Sequence, residues 1–168
     1  MLFRTILMLF TIVMASSLSA LPLPNGPTLL TISGAISNTN QDDVAVYDLE
    51  MLENLPQHVV ATRNPWNTGT HHYRGVNPKA LLEAVGATGN VLRIQALNQY
   101  ITEVPIADFD RYDMVFATHM DDIPMSVRSR GPMMLVYNFD ATPSLHSEIF
   151  YGRSIWQIRS IEVLTRAE

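Results

Sequence analysis

The sequence predicts a compact, β-rich α+β domain with short helices. Short runs of β-branched and apolar residues recur along the chain, and only two or three segments carry a helical pattern. Strands and helices do not alternate as they do in α/β folds. The 168 residues fit one domain and contain no internal repeat.

Residues 1–20 have the pattern of a secretory signal peptide. Arg4 provides the positive start, Ile6 to Ala15 form a mostly apolar run, and Ser17 to Ala20 offer small residues at a cleavage site. The apolar run of about ten residues is shorter than the roughly 20 that a spanning helix needs. We therefore expect cleavage after Ala20, a location in the periplasm, and no insertion of the mature chain into the membrane. The alternative is an uncleaved N-terminal anchor.

The composition excludes several classes of site. The chain has no cysteine, so it cannot use a catalytic thiol, a disulfide or a thiolate metal ligand. Without Arg4 the mature chain has 10 basic side chains (11 − 1) and 16 acidic ones, a net charge of −6. Nucleic acids and anionic membrane surfaces both require basic patches, so this balance argues against either as a partner.

The chain after the signal peptide begins with a lead-in and two predicted strands. Residues 21–27 are Pro-rich and cannot join a helix or a central strand, so the domain is predicted over residues 28–168. The β-branched run over residues 28–33 predicts a strand that ends at Gly34. A second, short strand is predicted around Val44 to Val46.

A helix and a third strand are predicted next. Asp48 can N-cap a helical stretch over residues 49–55, which Pro56 stops. His58 to Thr62 has the composition of a strand. We expect it to run into a long loop that extends from Thr62 to Arg74.

The strongest helix signal follows that loop. Asn77 fits the N-cap, Pro78 fits the first turn, and Gly86 fits the C-terminal stop. Lys79 and Glu83 have the i,i+4 spacing of a surface ion pair.

The remaining elements are mostly strands. Residues 91–97 and 100–104 predict a hairpin that turns at Asn98-Gln99. Tyr100 and Trp156 alternate with strand residues, which predicts that both pack in the core. The pattern further predicts one helical turn over residues 105–110 and strands over residues 114–118, 133–137 and 154–163.

The predicted loop from Thr62 to Arg74 is the first candidate binding site. It is polar, aromatic and basic, which suits a planar polar ligand that needs a ring face and several donors. Trp66 or Tyr73 would offer the face, and the donors would be Arg63, Asn64, His71, His72 and Arg74. The alternative is an ordinary surface loop with Trp66 folded onto the core.

The five histidines do not predict a metal site. His71 and His72 are adjacent, and adjacent side chains on an extended segment point to opposite faces. The other three are scattered, and no HExxH or comparable spacing occurs.

Ser126 to Pro132 is the second candidate binding segment. Arg128 and Arg130 stand one residue apart before a Gly-Pro turn, so they can point the same way and cradle an anionic group. The alternative is that they are solvated charges that balance Asp121 and Asp122. No GxSxG, P-loop or GxGxxG motif occurs, so nucleophilic catalysis has no support.

Several motifs, taken in order, resemble the oxidoreductase molybdopterin-binding domain, the sulfite-oxidase-type fold. The resemblance extends over roughly residues 28–164. Its motifs are Leu29 to Gly34, Thr62 to Trp66, Tyr73 to Val76, Leu81-Leu82, Ala96 to Tyr100, Val104-Pro105, Met114 to Ala117, Gly131 to Val136 and Arg153 to Ile158.

The chain departs from this family at the metal ligand. In the catalytic family a cysteine just after the third strand coordinates molybdenum through its thiolate, and the nearest position here is Thr62. A neutral hydroxyl cannot supply the soft anionic sulfur that the metal uses. The resemblance therefore implies a pterin pocket without molybdenum, and it leans against an enzyme.

The ligand that the resemblance implies is a pterin, either molybdopterin-like or a tetrahydropterin. Trp66 would stack on its ring, and Arg128 and Arg130 would hold a side-chain hydroxyl or phosphate. The other candidate contacts to this ligand are Thr62, Arg63, Asn64, His72, Arg74, Asn98 and Tyr100.

The resemblance also implies a role. The chain is similar to short, cysteine-less periplasmic members of the family that bind pterins without catalysis. Such proteins act as sensors and regulate a membrane-bound diguanylate cyclase or phosphodiesterase of cyclic-di-GMP turnover. Two alternatives stay open: a molybdopterin-dependent oxidoreductase subunit with a non-cysteine metal site, and a ligand-free interaction module.

Overall fold

The computed structural model describes residues 21–167 and confirms the α+β class. The predicted signal peptide over residues 1–20 lies outside the described residues. Within residues 21–167 the strands are β1 Leu30–Gly34, β2 Ala45–Tyr47, β3 Gln57–Asn64, β4 Asn67–Val76, β5 Val91–Ala96, β6 Ile101–Pro105, β7 Met114–Met120, β8 Ile123–Pro124, β9 Met134–Tyr137 and β10 Ile158–Leu164. The α-helices are α1 Leu49–Glu53, α2 Pro78–Ala84, α3 Asp108–Arg111 and α4 Glu148–Arg153.

The strands form two sheets. The first has the order β2-β1-β10-β5-β6, with β1 and β10 parallel and the other neighbours antiparallel. The second has the order β3-β4-β7-β8, with β9 also paired to β7, and is antiparallel throughout. No helix in the described residues is long and apolar enough to cross a membrane.

The core has two parts, and Trp66 contacts both. The larger cluster joins the sheets and includes Ile32, Ile94 and Phe116, which are fully buried. The smaller cluster belongs to the second sheet and includes Val60 and other buried side chains. Trp66 packs against each cluster, so the β3–β4 turn that carries it is fixed by apolar contacts on two sides.

The predicted helix caps are confirmed. Asp48 accepts a hydrogen bond from the backbone N–H of Met51 at 2.9 Å and so begins α1. Asn77 accepts hydrogen bonds from two backbone N–H groups of the first turn of α2, and Gly86 follows this helix with a left-handed φ of +60°. The predicted Lys79–Glu83 pair is wrong, because the Lys79 ammonium lies 2.6 Å from Asp110 instead.

The predicted loop from Thr62 to Arg74 is wrong. Its second half is β4, which pairs with β3 on one side and β7 on the other. Asn64 explains the sharp turn between the strands, because its side-chain oxygen accepts hydrogen bonds from the N–H groups of Trp66 and Asn67. Only Pro65 and Trp66 stand between the two strands.

The last predicted strand is shorter than expected, and α4 was not predicted. β10 begins at Ile158 because Gln157 adopts a left-handed φ of 56°, which interrupts the extended backbone. Trp156 contributes a single bridge to Met134. Tyr151 of α4 and Trp156 both contact Trp66 in the β3–β4 turn.

Candidate functional site

A cleft of about 340 Å³ opens where four parts of the chain meet. These parts are the β3–β4 turn, the β5–β6 turn, α4 and the segment before β10. We call it the aromatic cleft, and its lining residues are Trp66, Ala96, Asn98, Tyr100, Tyr151, Gly152, Ser154, Ile155 and Trp156. None of these side chains is charged, and four of them are aromatic. The volume and lining suit one small, flat ligand.

The two indoles of the aromatic cleft form an edge-to-face pair. The ring centroids of Trp66 and Trp156 lie 5.5 Å apart at an interplanar angle of 67°. Trp66 also meets Tyr151 edge to face, with a centroid distance of 6.1 Å. Such contacts are the preferred geometry of aromatic pairs and hold the rings in place. The chain has only these two tryptophans.

The aromatic cleft has few polar groups, and most of them are hydrogen-bonded within the protein. The Tyr100 hydroxyl donates to the Gly152 carbonyl at 3.1 Å and ties the β5–β6 turn to α4. The Ser154 hydroxyl donates to the Phe150 carbonyl at 2.9 Å. The Asn98 side-chain oxygen accepts from the Tyr100 N–H at 3.1 Å, so its NH₂ group is the donor that it can offer to a ligand.

The structure brings three of the predicted contact residues together at the aromatic cleft. Trp66, Asn98 and Tyr100 all line it. The core packing predicted for Tyr100 is wrong, since 48% of this residue is exposed. The reason is that β6 begins only at Ile101, which leaves Tyr100 at the end of the turn.

Thr62 does not line the aromatic cleft. Its side chain is fully buried. The hydroxyl donates to the Arg63 carbonyl at 3.0 Å and accepts from the Asp140 N–H at 3.2 Å. Thr62 therefore serves as an internal link between β3 and the segment that follows β9.

The neighbours of Thr62 are also engaged in structural contacts. The Arg63 guanidinium lies 3.1 Å from an Asp140 carboxylate oxygen at the surface. That arginine is the main cause that holds the pKa of Asp140 below its usual range. The Asn64 side chain builds the β3–β4 turn and donates to the Tyr73 hydroxyl at 2.7 Å. Neither Arg63 nor Asn64 lines the aromatic cleft.

His72 and Arg74 lie on β4, at a different part of the surface. The His72 backbone N–H donates to Asp121 at 2.9 Å, and the Arg74 guanidinium lies 3.7 Å from Asp122. The hydrogen bond that the ring of the neighbouring His71 donates to the Asp121 carboxylate raises the pKa of His71. No cluster of three or more metal-ligating side chains occurs in residues 21–167.

Arg128 and Arg130 do not form the expected cradle. Arg128 is exposed in a 3₁₀ turn over Val127–Ser129, where residues do not alternate as in a strand. Arg130 follows that turn with a left-handed φ of 69°, and its guanidinium points back toward Trp66. The two side chains therefore have separate surroundings.

The sequence does not identify most of the nine lining residues as contacts. Its pattern predicts Trp156 to lie in the core and predicts no helix at α4, and Tyr151, Gly152, Ser154 and Ile155 lie in or directly after that helix. The aromatic pair Phe150-Tyr151 after Ser147, a residue type that favours helix N-caps, was a signal that could have indicated this helix.

No protein-family model and no curated protein matches this sequence. Among solved structures, the chain is similar to the sulfane dehydrogenase SoxCD from Paracoccus pantotrophus, with a TM-score of 0.59 and 14% identity over 82% of this chain. The chain spans 38% of the length of that protein's chain. A likeness at this identity concerns the fold, and it agrees with the sulfite-oxidase-type fold that the sequence motifs imply.

Proposed function

We propose that this chain is a non-catalytic binding protein for a pterin, which it holds in the aromatic cleft. The observation that carries the proposal is the convergence of Trp66, Trp156 and Tyr100 on one uncharged cleft. A flat heterocycle gains stacking and dispersion energy from such a lining. In this proposal the NH₂ group of Asn98, which lines the cleft, donates to the polar edge of the ligand.

The donor set does not fit molybdenum in the manner of the family. The position of the ligand cysteine is Thr62, a buried neutral hydroxyl that already donates and accepts hydrogen bonds within the fold. A soft thiolate is the ligand that this chemistry uses, and the chain has no cysteine. Thr62 therefore cannot serve as the molybdenum ligand that the cysteine provides in that family.

We further propose that the mature chain acts in the periplasm as a sensor. In this proposal, pterin occupancy regulates a membrane-bound diguanylate cyclase or phosphodiesterase. The support is the signal-peptide pattern of residues 1–20 and the resemblance to periplasmic pterin-binding proteins. A gene for such an enzyme beside this one would support this role, whereas a gene for a haem-containing membrane subunit would favour electron transfer.

Titration of the mature protein with tetrahydropterin and with oxidised pterin tests ligand binding. Both tryptophans line the aromatic cleft, so quenching of their fluorescence reports directly on that site. We expect saturable binding with a Kd below about 1 mM, confirmed by calorimetry. A control titration uses a non-aromatic compound of similar size, which should not quench.

Two outcomes contradict the proposal. One is the absence of saturable pterin binding below about 1 mM. The other is stoichiometric molybdenum, together with reductase activity, in protein expressed in a host with an active molybdenum-cofactor pathway. The second outcome would support the alternative of an oxidoreductase subunit with a non-cysteine metal site.

A further inference from the structure

Arg130 lies outside the aromatic cleft and contacts both of its tryptophans. One guanidinium nitrogen donates to the Asn67 side-chain oxygen at 2.7 Å, and another donates to the Trp66 carbonyl at 2.9 Å. The guanidinium carbon also lies 5.9 Å from the centroid of the Trp156 ring, within the range of a cation–π contact. A single side chain thus contacts both walls of the cleft.

The backbone of Arg130 is held as firmly as its side chain. Its carbonyl accepts a hydrogen bond from the Gln157 N–H at 3.1 Å, directly after Trp156. The next residue, Gly131, donates to the Ser126 carbonyl at 2.7 Å. A Cβ atom at Gly131 would collide with the Met125 carbonyl, so the loop can approach this closely only with glycine there.

These contacts join three segments that are distant in sequence: the β3–β4 turn, the 126–131 loop and the segment before β10. We propose that Arg130 is a positioning residue that fixes Trp66 relative to Trp156 and thereby sets the affinity of the aromatic cleft. Arg130 itself does not line the cleft. The inference rests on the proposed pterin-binding function of the same cleft.

The competing explanation is that Arg130 holds an anionic group of the ligand. Two of its guanidinium nitrogens already donate to neutral acceptors of the fold, and its charge lies over the Trp156 ring. The planar fork of arginine can make both hydrogen bonds at once, whereas a lysine ammonium is a point charge that cannot reproduce them. Arg130→Lys therefore separates geometry from charge.

The experiment compares Arg130→Lys and Arg130→Gln with Arg128→Gln, a matched control two residues away on the exposed turn. The first measurement is far-UV circular dichroism of the free protein. Two indoles 5.5 Å apart couple their electronic transitions, and Trp156→Phe identifies this signal by removing it. The second measurement is the Kd for a neutral pterin and for a phosphorylated pterin.

We expect both Arg130 variants to diminish the coupled indole signal and to raise the Kd for both pterins by about tenfold. The reason is that charge-assisted hydrogen bonds are lost. Arg128→Gln should change neither measurement. The lysine variant remains informative if the glutamine variant does not fold.

The proposal is overturned if Arg130→Lys leaves the indole signal and both affinities unchanged. It is also overturned if Arg130→Gln raises the Kd for the phosphorylated pterin and leaves the Kd for the neutral pterin unchanged. That result would assign Arg130 to anion binding. Failure of the proposed function is distinguishable from these results. In that case the native protein binds neither pterin, while the indole signal of the free variants still tests the positioning role.

Discussion

Thr62 is the residue nearest to the position at which the family that the sequence resembles has a metal-binding cysteine. Its side chain is buried, and its hydroxyl donates a hydrogen bond to the Arg63 carbonyl and accepts one from the Asp140 N–H. A hydroxyl in this environment contributes to stability, because its removal would break the partly buried hydrogen bond from the Asp140 N–H. The Thr62 hydroxyl is therefore used in hydrogen bonds within the fold.

A thiol introduced at this position should be inaccessible. Thr62→Cys would give the chain its only cysteine, and Thr62 is fully buried. We expect this thiol to react with a thiol reagent on the order of 100-fold more slowly than that of Thr68→Cys, which lies exposed on β4. In denaturant the two should react alike. Rapid labelling of native Thr62→Cys would show that the position is open to solvent and to a metal.

Trp66 serves the core and the aromatic cleft together. It packs against both core clusters and lines the cleft, so the two sequence-based alternatives for this residue do not exclude each other. We expect Trp66→Ala to lower the free energy of unfolding by about 3 kcal/mol. We also expect it to weaken pterin binding by about 1–3 kcal/mol.

Trp66→Phe is the control, because it keeps most apolar contacts and retains an aromatic face. Denaturant unfolding and pterin titration measure the two effects separately. If Trp66→Ala loses stability but binds pterin as the native protein does, the ligand does not stack on this indole.

At the scale of elements, Asp48 fastens the start of α1 to the N-terminal segment. Its carboxylate accepts hydrogen bonds from the N–H groups of Met51, Gly26 and Asn25. These bonds, that from Met51 first, hold the pKa of Asp48 below its ordinary value. Because the folded pKa lies below the unfolded one, this group stabilises the fold above about pH 4 and loses its contribution as the pH falls through the folded pKa.

Asp48→Asn should therefore destabilise the protein at pH 7 and make its stability less dependent on pH below about pH 4. Denaturant unfolding at a series of pH values measures both effects. Glu50→Gln is the control, since Glu50 is an exposed acid in the first turn of the same helix. An unchanged acid dependence in Asp48→Asn would contradict this account.

An ion pair between the partly exposed Arg153 and a buried carboxylate anchors α4, the helix that supplies one wall of the aromatic cleft. The Arg153 guanidinium donates to the Asp108 carboxylate at 2.8 Å, and the Tyr137 hydroxyl donates to the same oxygen at 2.9 Å. Asp108 is only 4% exposed. Removal of the arginine leaves a buried carboxylate without its counter-ion, which is costly.

Arg153→Met should lower the free energy of unfolding by about 3 kcal/mol and weaken pterin binding, since Tyr151 and Gly152 belong to the same helix. Tyr137→Phe, which removes one hydrogen bond and keeps the ion pair, should cost only about 1 kcal/mol. Urea unfolding of the two variants measures the difference. Equal losses would mean that the ion pair contributes no more than the hydroxyl.

At the scale of the whole molecule, a ligand that binds only the folded state must raise its stability. A pterin at 100 times its Kd should add about 2.7 kcal/mol to the free energy of unfolding. Thermal unfolding with and without pterin measures this, and Trp66→Ala should show a smaller increase at the same pterin concentration. If saturating pterin leaves the unfolding temperature of the native protein unchanged, the result would contradict binding to the folded state.

The elements that the sequence predicted well depend on local contacts. The caps at Asp48 and Asn77 use hydrogen bonds within three residues, so the local pattern suffices. β4 could not be predicted in this way, because its polar sequence has the composition of a loop. Its extended conformation comes from pairing with β3 and β7, and β7 lies about 40 residues further along the chain.

The sequence by itself determined that the chain has no thiolate, that it carries a net charge of −5, and that its fold is β-rich. Only the tertiary structure decided which residues form the aromatic cleft. Trp66 and Trp156 are 90 positions apart in the sequence, and they meet because a two-residue turn, a left-handed residue before β10 and the Arg130 contacts bring three segments together. Such a meeting depends on strand register and packing, which no local pattern of residues encodes.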